Sequence, residues 1–197
     1  MELFNPVTIV VLITLFAPIG IVLKKLIDGE KITLSKFNKG IKGEDRVARY
    51  LDNLSGDFKY FRNVKLPGAF SDIDIVAIGE KGVFAIEVKS HKGNITFASG
   101  KLLRGGKETE KDFLKQVKSE AAALSDYIKE KSGIEIFVMP VIVFSDSKAV
   151  IHFGLNPVDG VYVVNMVYME KLSDSFNGDL DQAKRYKIIE VLKNLSI

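Results

Sequence analysis

The chain has 197 residues, with no Cys, no Trp and two His, a length that allows one globular domain plus an appendage. The missing cysteines exclude disulfides and thiolate zinc sites, and two widely separated histidines argue against a His-based metal centre. A metal here would be held by carboxylates, which favours Mg²⁺ or Mn²⁺. The formal charge of +3 is a mild indication of a polyanionic partner.

The first distinctive segment is uncharged and apolar. Leu3 to Leu23 contains no charged residue and would span roughly 31 Å as a helix, which matches a bilayer core. Lys24 and Lys25 follow it, so the positive-inside rule predicts an N-terminus outside and a cytoplasmic remainder. A cleaved signal peptide or a buried core helix is the alternative, although Glu2 is unlike the basic start of a signal peptide.

We therefore predict an anchor over residues 1–25, a linker over 26–37 and a globular domain over 38–197. Helical periodicity, β-rich runs and turn residues predict the elements of this domain in chain order. They are a helix over Gly40–Leu54, strands over Phe58–Leu66, Ser71–Ile78 and Val83–Ser90, a hairpin over Ile95–Arg104, a helix over Glu110–Lys131, strands over Ile136–Phe144 and Val161–Val164, and a helix over Leu180–Leu195. This order predicts an α/β domain with a mixed sheet flanked by helices.

The central hairpin brings two carboxylates together. A symmetric turn over Gly79 to Gly82 sets a register in which Asp74 faces Glu87 across the strand pair. Opposed carboxylates repel and destabilise a sheet unless a cation lies between them. Side-chain alternation puts Lys89 on the same face as Glu87.

A third carboxylate comes from the first predicted helix. Glu44 precedes Val47, Ala48 and Leu51 by three, four and seven residues, which places it on the apolar stripe. A carboxylate facing the core needs a partner such as a metal ion or Lys89.

Each acidic residue also has an ordinary interpretation. Glu44 can be a first-turn acid that favours the helix dipole, Asp74 a solvated strand residue, and Glu87 with Lys89 an exposed cross-sheet pair. The four together favour a metal site.

These residues resemble a known family. Gly40–Val47 (GIKGEDRV), Ser71–Ile78 (SDIDIVAI), Gly82–Lys89 (GVFAIEVK) and Gly93 resemble the nuclease-related domain, a branch of the PD-(D/E)xK superfamily with a restriction-endonuclease-like fold. The resemblance covers roughly Ser35 to Phe144.

The resemblance implies roles for five residues. Asp74 and Glu87 would bind the divalent metal with help from Glu44, and Lys89 would orient or activate the attacking water. Gln116 is similar to the glutamine often found on the superfamily's corresponding helix. Phosphodiester hydrolysis suits these residue types, because a carboxylate-held Mg²⁺ activates water and neutralises developing charge.

Basic residues follow the candidate site. Lys92, Lys101, Arg104 and Lys107 occur along the second hairpin and can follow a nucleic-acid backbone, although an ordinary solvated loop is the slightly better explanation because Glu108 and Glu110 follow closely. His91 can contact a phosphate or simply occupy a turn.

The leading hypothesis is a membrane-tethered, Mg²⁺-dependent nuclease that acts on DNA. One alternative is a module with the nuclease fold that binds nucleic acid or a protein at the membrane without catalysis. Another is a structural anchor, which the opposed carboxylates disfavour.

Overall fold

The computed structural model describes residues 24–26, 28–31, 38–53, 58–109 and 111–195. These residues belong to two compact units, one within Met1–Ile41 and the other within Lys42–Ile197.

In the first unit, residues 24–26, 28–31 and 38–41 are helical. Part of the predicted linker is therefore helical, although its sequence has no clear apolar period. The predicted transmembrane stretch, residues 3–23, lies outside the described residues. Where the structure does describe the chain, it contains no helix long and apolar enough to cross a bilayer.

The second unit contains nine strands and four α-helices among its described residues. The strands are β1 (Lys59–Val64), β2 (Ile73–Gly79), β3 (Gly82–Lys89), β4 (Gly93–Ala98), β5 (Lys101–Arg104), β6 (Lys107–Glu108), β7 (Val138–Phe144), β8 (Ala149–Ile151) and β9 (Tyr162–Asn165). The helices are α1 (residues 42–52 of this unit), α2 (Phe113–Ser132), α3 (Met169–Asp174) and α4 (Gln182–Leu192), with a 3-10 turn over Met166–Tyr168.

The strands form two mixed sheets rather than a single one. The first has five strands in the order β1-β2-β3-β7-β9, and the second has four in the order β6-β5-β4-β8. β3 pairs with β7 in parallel, and β4 pairs with β8 in parallel. Along the chain, β3 is followed by β4 and β7 is followed by β8. A parallel pair in the first sheet thus continues into a parallel pair in the second. The predicted mixed α/β class is confirmed, and the second sheet extends it.

The β2–β3 hairpin has the predicted register. Gly79 pairs with Gly82, and the ladder continues to the pair Ile75–Ile86. The regular pairing stops there, one residue before Asp74 and Glu87.

Helices cover both faces of the first sheet. Val47 of α1 and Leu172 of α3 pack with Ile75, Phe84 and Ile86 on one face. The other face packs against α2 and α4 through a set that includes Val76, Ala85, Leu124, Ile128 and Ile188. Because strand side chains alternate, the residues that share parity with Val76 and Ala85 project toward α2. Asp74, Glu87 and Lys89 have that parity.

The segment between α3 and α4 lies against the β2–β3 turn. The Leu180 amide donates to the Glu80 carbonyl at 2.7 Å, and a Cβ atom built on Gly178 would lie 2.0 Å from the Lys81 carbonyl oxygen. Only glycine allows this approach without a backbone shift.

We predict that Gly178→Ala lowers the free energy of unfolding by about 1–3 kcal/mol, because the docked segment must move away from the turn. Urea denaturation of the purified chain measures the effect. Gly40→Ala is the matched control, since a Cβ there meets nothing within 4 Å. Equal stability of the two variants would contradict the close approach.

Candidate active site

Asp74 lies at the open end of the central hairpin, just beyond its last regular pair. Its Oδ2 accepts a hydrogen bond from the Val88 amide at 2.7 Å. The side chain thus takes the place of a backbone acceptor where β2 and β3 stop pairing. This hydrogen bond fixes the carboxylate beside the end of β3.

Glu87 lies on β3, the middle strand of the first sheet, and is only 4% exposed. Its Oε1 accepts hydrogen bonds from Lys89 Nζ and from Gln116 Nε2, the latter at 2.9 Å. Its Oε2 is buried and has no hydrogen-bond partner. One oxygen of this carboxylate is therefore satisfied by the chain and the other is not.

Lys89 is held on two sides. Its ammonium group pairs with Glu87 and lies 4.3 Å from the centroid of the Phe113 ring. The ring offers its negative face to the cation, which helps to hold the ammonium group in place. The charge is thereby fixed next to the carboxylates.

Gln116 links Glu87 to a second buried acid that the sequence analysis missed. Its Nε2 also donates to Glu120 Oε1 at 3.0 Å, and Ser71 Oγ lies 3.2 Å from the same oxygen. Glu120 Oε2 is buried without a partner. The signal was present in the sequence, because Glu120 lies three residues after Val117 and four before Leu124 on the apolar stripe of α2.

Glu44 has a partner that differs from those expected. Its Oε2 lies 3.9 Å from Arg62 Nη2, and the same guanidinium pairs with Asp45 at 2.6 Å. We expected a metal ion or Lys89 as the partner of Glu44. Nothing in the sequence around Arg62, on β1, indicates this ion pair. Glu44 still feels the charges of Glu87 and Lys89, so it borders the cluster.

Burial and mutual repulsion make these acids hard to ionise. Burial, followed by the nearby Glu87 charge, raises the pKa of Asp74 to about 7, against the opposing Val88 hydrogen bond. The same two causes raise the pKa of Glu120 to about 7. Burial also raises the pKa of Glu44, and Arg62 counteracts it. The site is therefore short of positive charge.

A divalent cation would supply the missing positive charge, and the donor atoms of the site suit such an ion. The donors are hard carboxylate oxygens, and one of them on Glu87 is buried without a partner. Within the described ranges, however, no three acidic or histidine side chains converge into a ready-made cluster. Mg²⁺ is often bound through one or two carboxylates and several waters, so the pair Asp74 and Glu87 meets its minimum requirement.

These observations define a class of protein. It is a mixed α/β domain with acidic residues, a lysine and a glutamine beside the end of its central hairpin. The nuclease-related domain family matches residues 39–145, and the chain belongs to that family. The resemblance drawn from the sequence is thus confirmed.

One relative is a UPF0102 protein from Campylobacter lari, which is 40% identical over 67 residues. The match covers 34% of this chain and 57% of that protein. No solved structure matches the chain.

The raised pKa values predict that the metal-free chain loses stability as the pH rises. The folded state keeps protons on Asp74 and Glu120 up to about pH 7, whereas unfolded acids lose them near pH 4. This contribution is complete below about pH 4 and disappears as the pH passes 7, a loss on the order of 2–4 kcal/mol. Urea denaturation in EDTA at pH 5 and pH 8 measures it.

Asp74→Asn and Glu120→Gln should each reduce that difference, while Asp126→Asn, an exposed position on the same helix, should preserve it. A wild-type chain equally stable at pH 5 and pH 8 would rule out the raised pKa values.

Proposed function

We propose that this chain is a membrane-anchored, divalent-metal-dependent nuclease that hydrolyses phosphodiester bonds of DNA, on a restriction-endonuclease-like fold. The observation that carries the proposal is the buried Glu87 carboxylate. One of its oxygens is bonded by Lys89 and Gln116 while the other has no partner, and the high-pKa Asp74 stands nearby. A purely structural ion pair would gain stability if a second donor bonded the remaining oxygen.

Asp74 and Glu87 would hold the ion, Mg²⁺ or Mn²⁺, with Glu44 assisting from α1. When bound, such an ion lowers the pKa of its water and neutralises charge on the phosphoryl oxygens. The chain's own contribution is to keep the two carboxylates in place through the Val88 amide and the Gln116 side chain.

Lys89 supplies the point charge in this scheme. Its ammonium group is confined between Glu87 and the Phe113 ring, so it needs little reorganisation to face a scissile phosphate or the attacking water. Gln116 uses both N–H groups on Glu87 and Glu120, which orients its amide and holds α2 against the site.

A binding module without catalysis is the second candidate. The Lys89–Glu87 ion pair favours it, because the lysine already neutralises part of the acidic charge without a metal.

The two candidates differ in what Lys89 and Asp74 should do. Lys89→Ala removes a charge near the reacting groups but no metal ligand, so cleavage should fall about 10²- to 10⁴-fold while metal-induced thermal stabilisation survives. Asp74→Ala should abolish both. Plasmid cleavage and thermal melting of the full-length chain, with Mg²⁺ or Mn²⁺, measure the two effects.

Lys118→Ala serves as the matched control, because that lysine pairs with Asp159 on the surface. The nuclease proposal is wrong if wild type binds nucleic acid but cuts neither DNA nor RNA with either ion. That outcome would favour the binding module.

The membrane part of the proposal rests on the sequence. Residues 1–25 would form the anchor, residues 26–37 the linker and residues 38–197 the nuclease domain. The uncharged stretch Leu3–Leu23 and the basic pair after it support one span with the N-terminus outside and the catalytic domain in the cytoplasm.

A reporter fused after Ile197 should accordingly be active in the cytoplasm and inactive when assayed outside, because Lys24 and Lys25 resist translocation. Moving the pair, by Lys24→Gln and Lys25→Gln with two lysines inserted after Met1, should invert or scramble the orientation. Protease access to the C-terminal domain from outside intact cells would refute this topology.

A further inference from the structure

A cavity of about 250 Å³ lies beside Lys89, where the first sheet meets the second. Its basic lining comes from separate parts of the chain: Lys89 at the end of β3, His91 in the following loop, Arg104 on β5 and Lys111 before α2. The cavity thus adjoins the candidate active site through one shared residue.

The cavity carries an excess of positive charge. Arg104 and Lys111 contribute two cations besides Lys89, which is paired with Glu87, and the acid in the lining, Glu108, is paired with Lys101 at 2.7 Å. Neither Arg104 nor Lys111 forms an ion pair within the described part of the chain. Both side chains are exposed, so they can receive an anionic ligand from solvent.

The floor beneath these cations is apolar and aromatic. Phe113 is 6% exposed, and its ring lies beneath the Lys89 ammonium group and stacks with the His91 ring at a centroid distance of 6.0 Å. Ile95 and Phe144 complete the buried wall. The cations lie around the opening of this cavity, which suits the phosphate group of a nucleotide.

We infer that this cavity binds the phosphodiester group next to the scissile one, with Arg104 and Lys111 holding its oxygens. The inference rests on the proposed function, since it takes nucleic acid as the substrate. Because Lys89 borders both sites, a strand held here would run directly into the carboxylate cluster. The structure also separates the basic residues of the hairpin: Arg104 lines the cavity, whereas Lys101 is engaged by Glu108.

The test measures binding of fluorescent 12-nucleotide strands, DNA and RNA, to the full-length chain in EDTA over a range of salt concentrations. Each phosphate contact in a single strand contributes about 0.7 to the slope of log affinity against log salt. Arg104→Gln and Lys111→Gln should each reduce that slope by about 0.7 and weaken binding about tenfold at low salt. Arg104→Lys should keep the slope, because the charge remains.

Lys107→Gln is the matched control, since Lys107 is the exposed cross-strand partner of Arg104 and lies outside the cavity lining. Its slope should equal that of wild type. In cleavage assays, Arg104→Gln should raise KM while kcat changes by less than about twofold, as expected for loss of uniform binding.

The outcomes separate this inference from the nuclease proposal. If wild type cleaves, and Arg104→Gln and Lys111→Gln behave like Lys107→Gln, the subsite is overturned and the nuclease stands. If the slopes fall as expected but wild type never cleaves, the nuclease fails while strand binding in the cavity stands. A wild type that binds neither strand overturns the subsite, and one that also cleaves neither DNA nor RNA with Mg²⁺ or Mn²⁺ overturns both.

Discussion

The fold is organised around one buried charge, the carboxylate of Glu87 in the middle of the first sheet. β2 and β7 flank its strand and α2 covers it, so water cannot solvate it freely. Leaving such a charge unpaired would cost several kcal/mol. Lys89, two residues further along the same strand face, forms an ion pair with Glu87, and Gln116 of α2 donates a hydrogen bond to it. Strand alternation and helix docking are thereby linked through the same carboxylate.

This compensation of the buried acids is incomplete. The remaining unpaired oxygens are features that lower stability, and they need another explanation. Glu87 and Glu120 each keep a buried oxygen without a partner, while Asp74 adds a third acid whose pKa is raised by burial and by the nearby Glu87 charge. Native structures leave few buried polar groups unsatisfied, and those they keep need an explanation. The apolar packing on both faces of the first sheet supplies the stability that offsets the cluster. A bound cation, as proposed, would therefore stabilise the part of the fold that this cluster weakens.

The features that the sequence predicted are those that neighbours along the chain determine. The hairpin register follows from a short symmetric turn, and α2 follows from a long apolar stripe. The missed features depend on distant partners. β6 and β8 are two and three residues long, too short for a period. Glu120 shows the same signal as Glu44, an acid on an apolar helical stripe, but its hydrogen bond with Ser71 and its link through Gln116 to Glu87 exist only when α2 is docked.

At the junction between the two sheets, the acidic residues of the candidate site and Arg104 come from different sheets. β3 and β7 lie parallel in the first sheet, β4 and β8 lie parallel in the second, and the short segments 90–92 and 145–148 connect the two pairs along the chain. The acids belong to the first sheet and its helices, whereas Arg104 projects from the second. A phosphodiester strand would be attracted by the second sheet and repelled by the acids unless a cation intervened. Binding and chemistry would then depend on different elements, joined by short backbone connections and by Lys89.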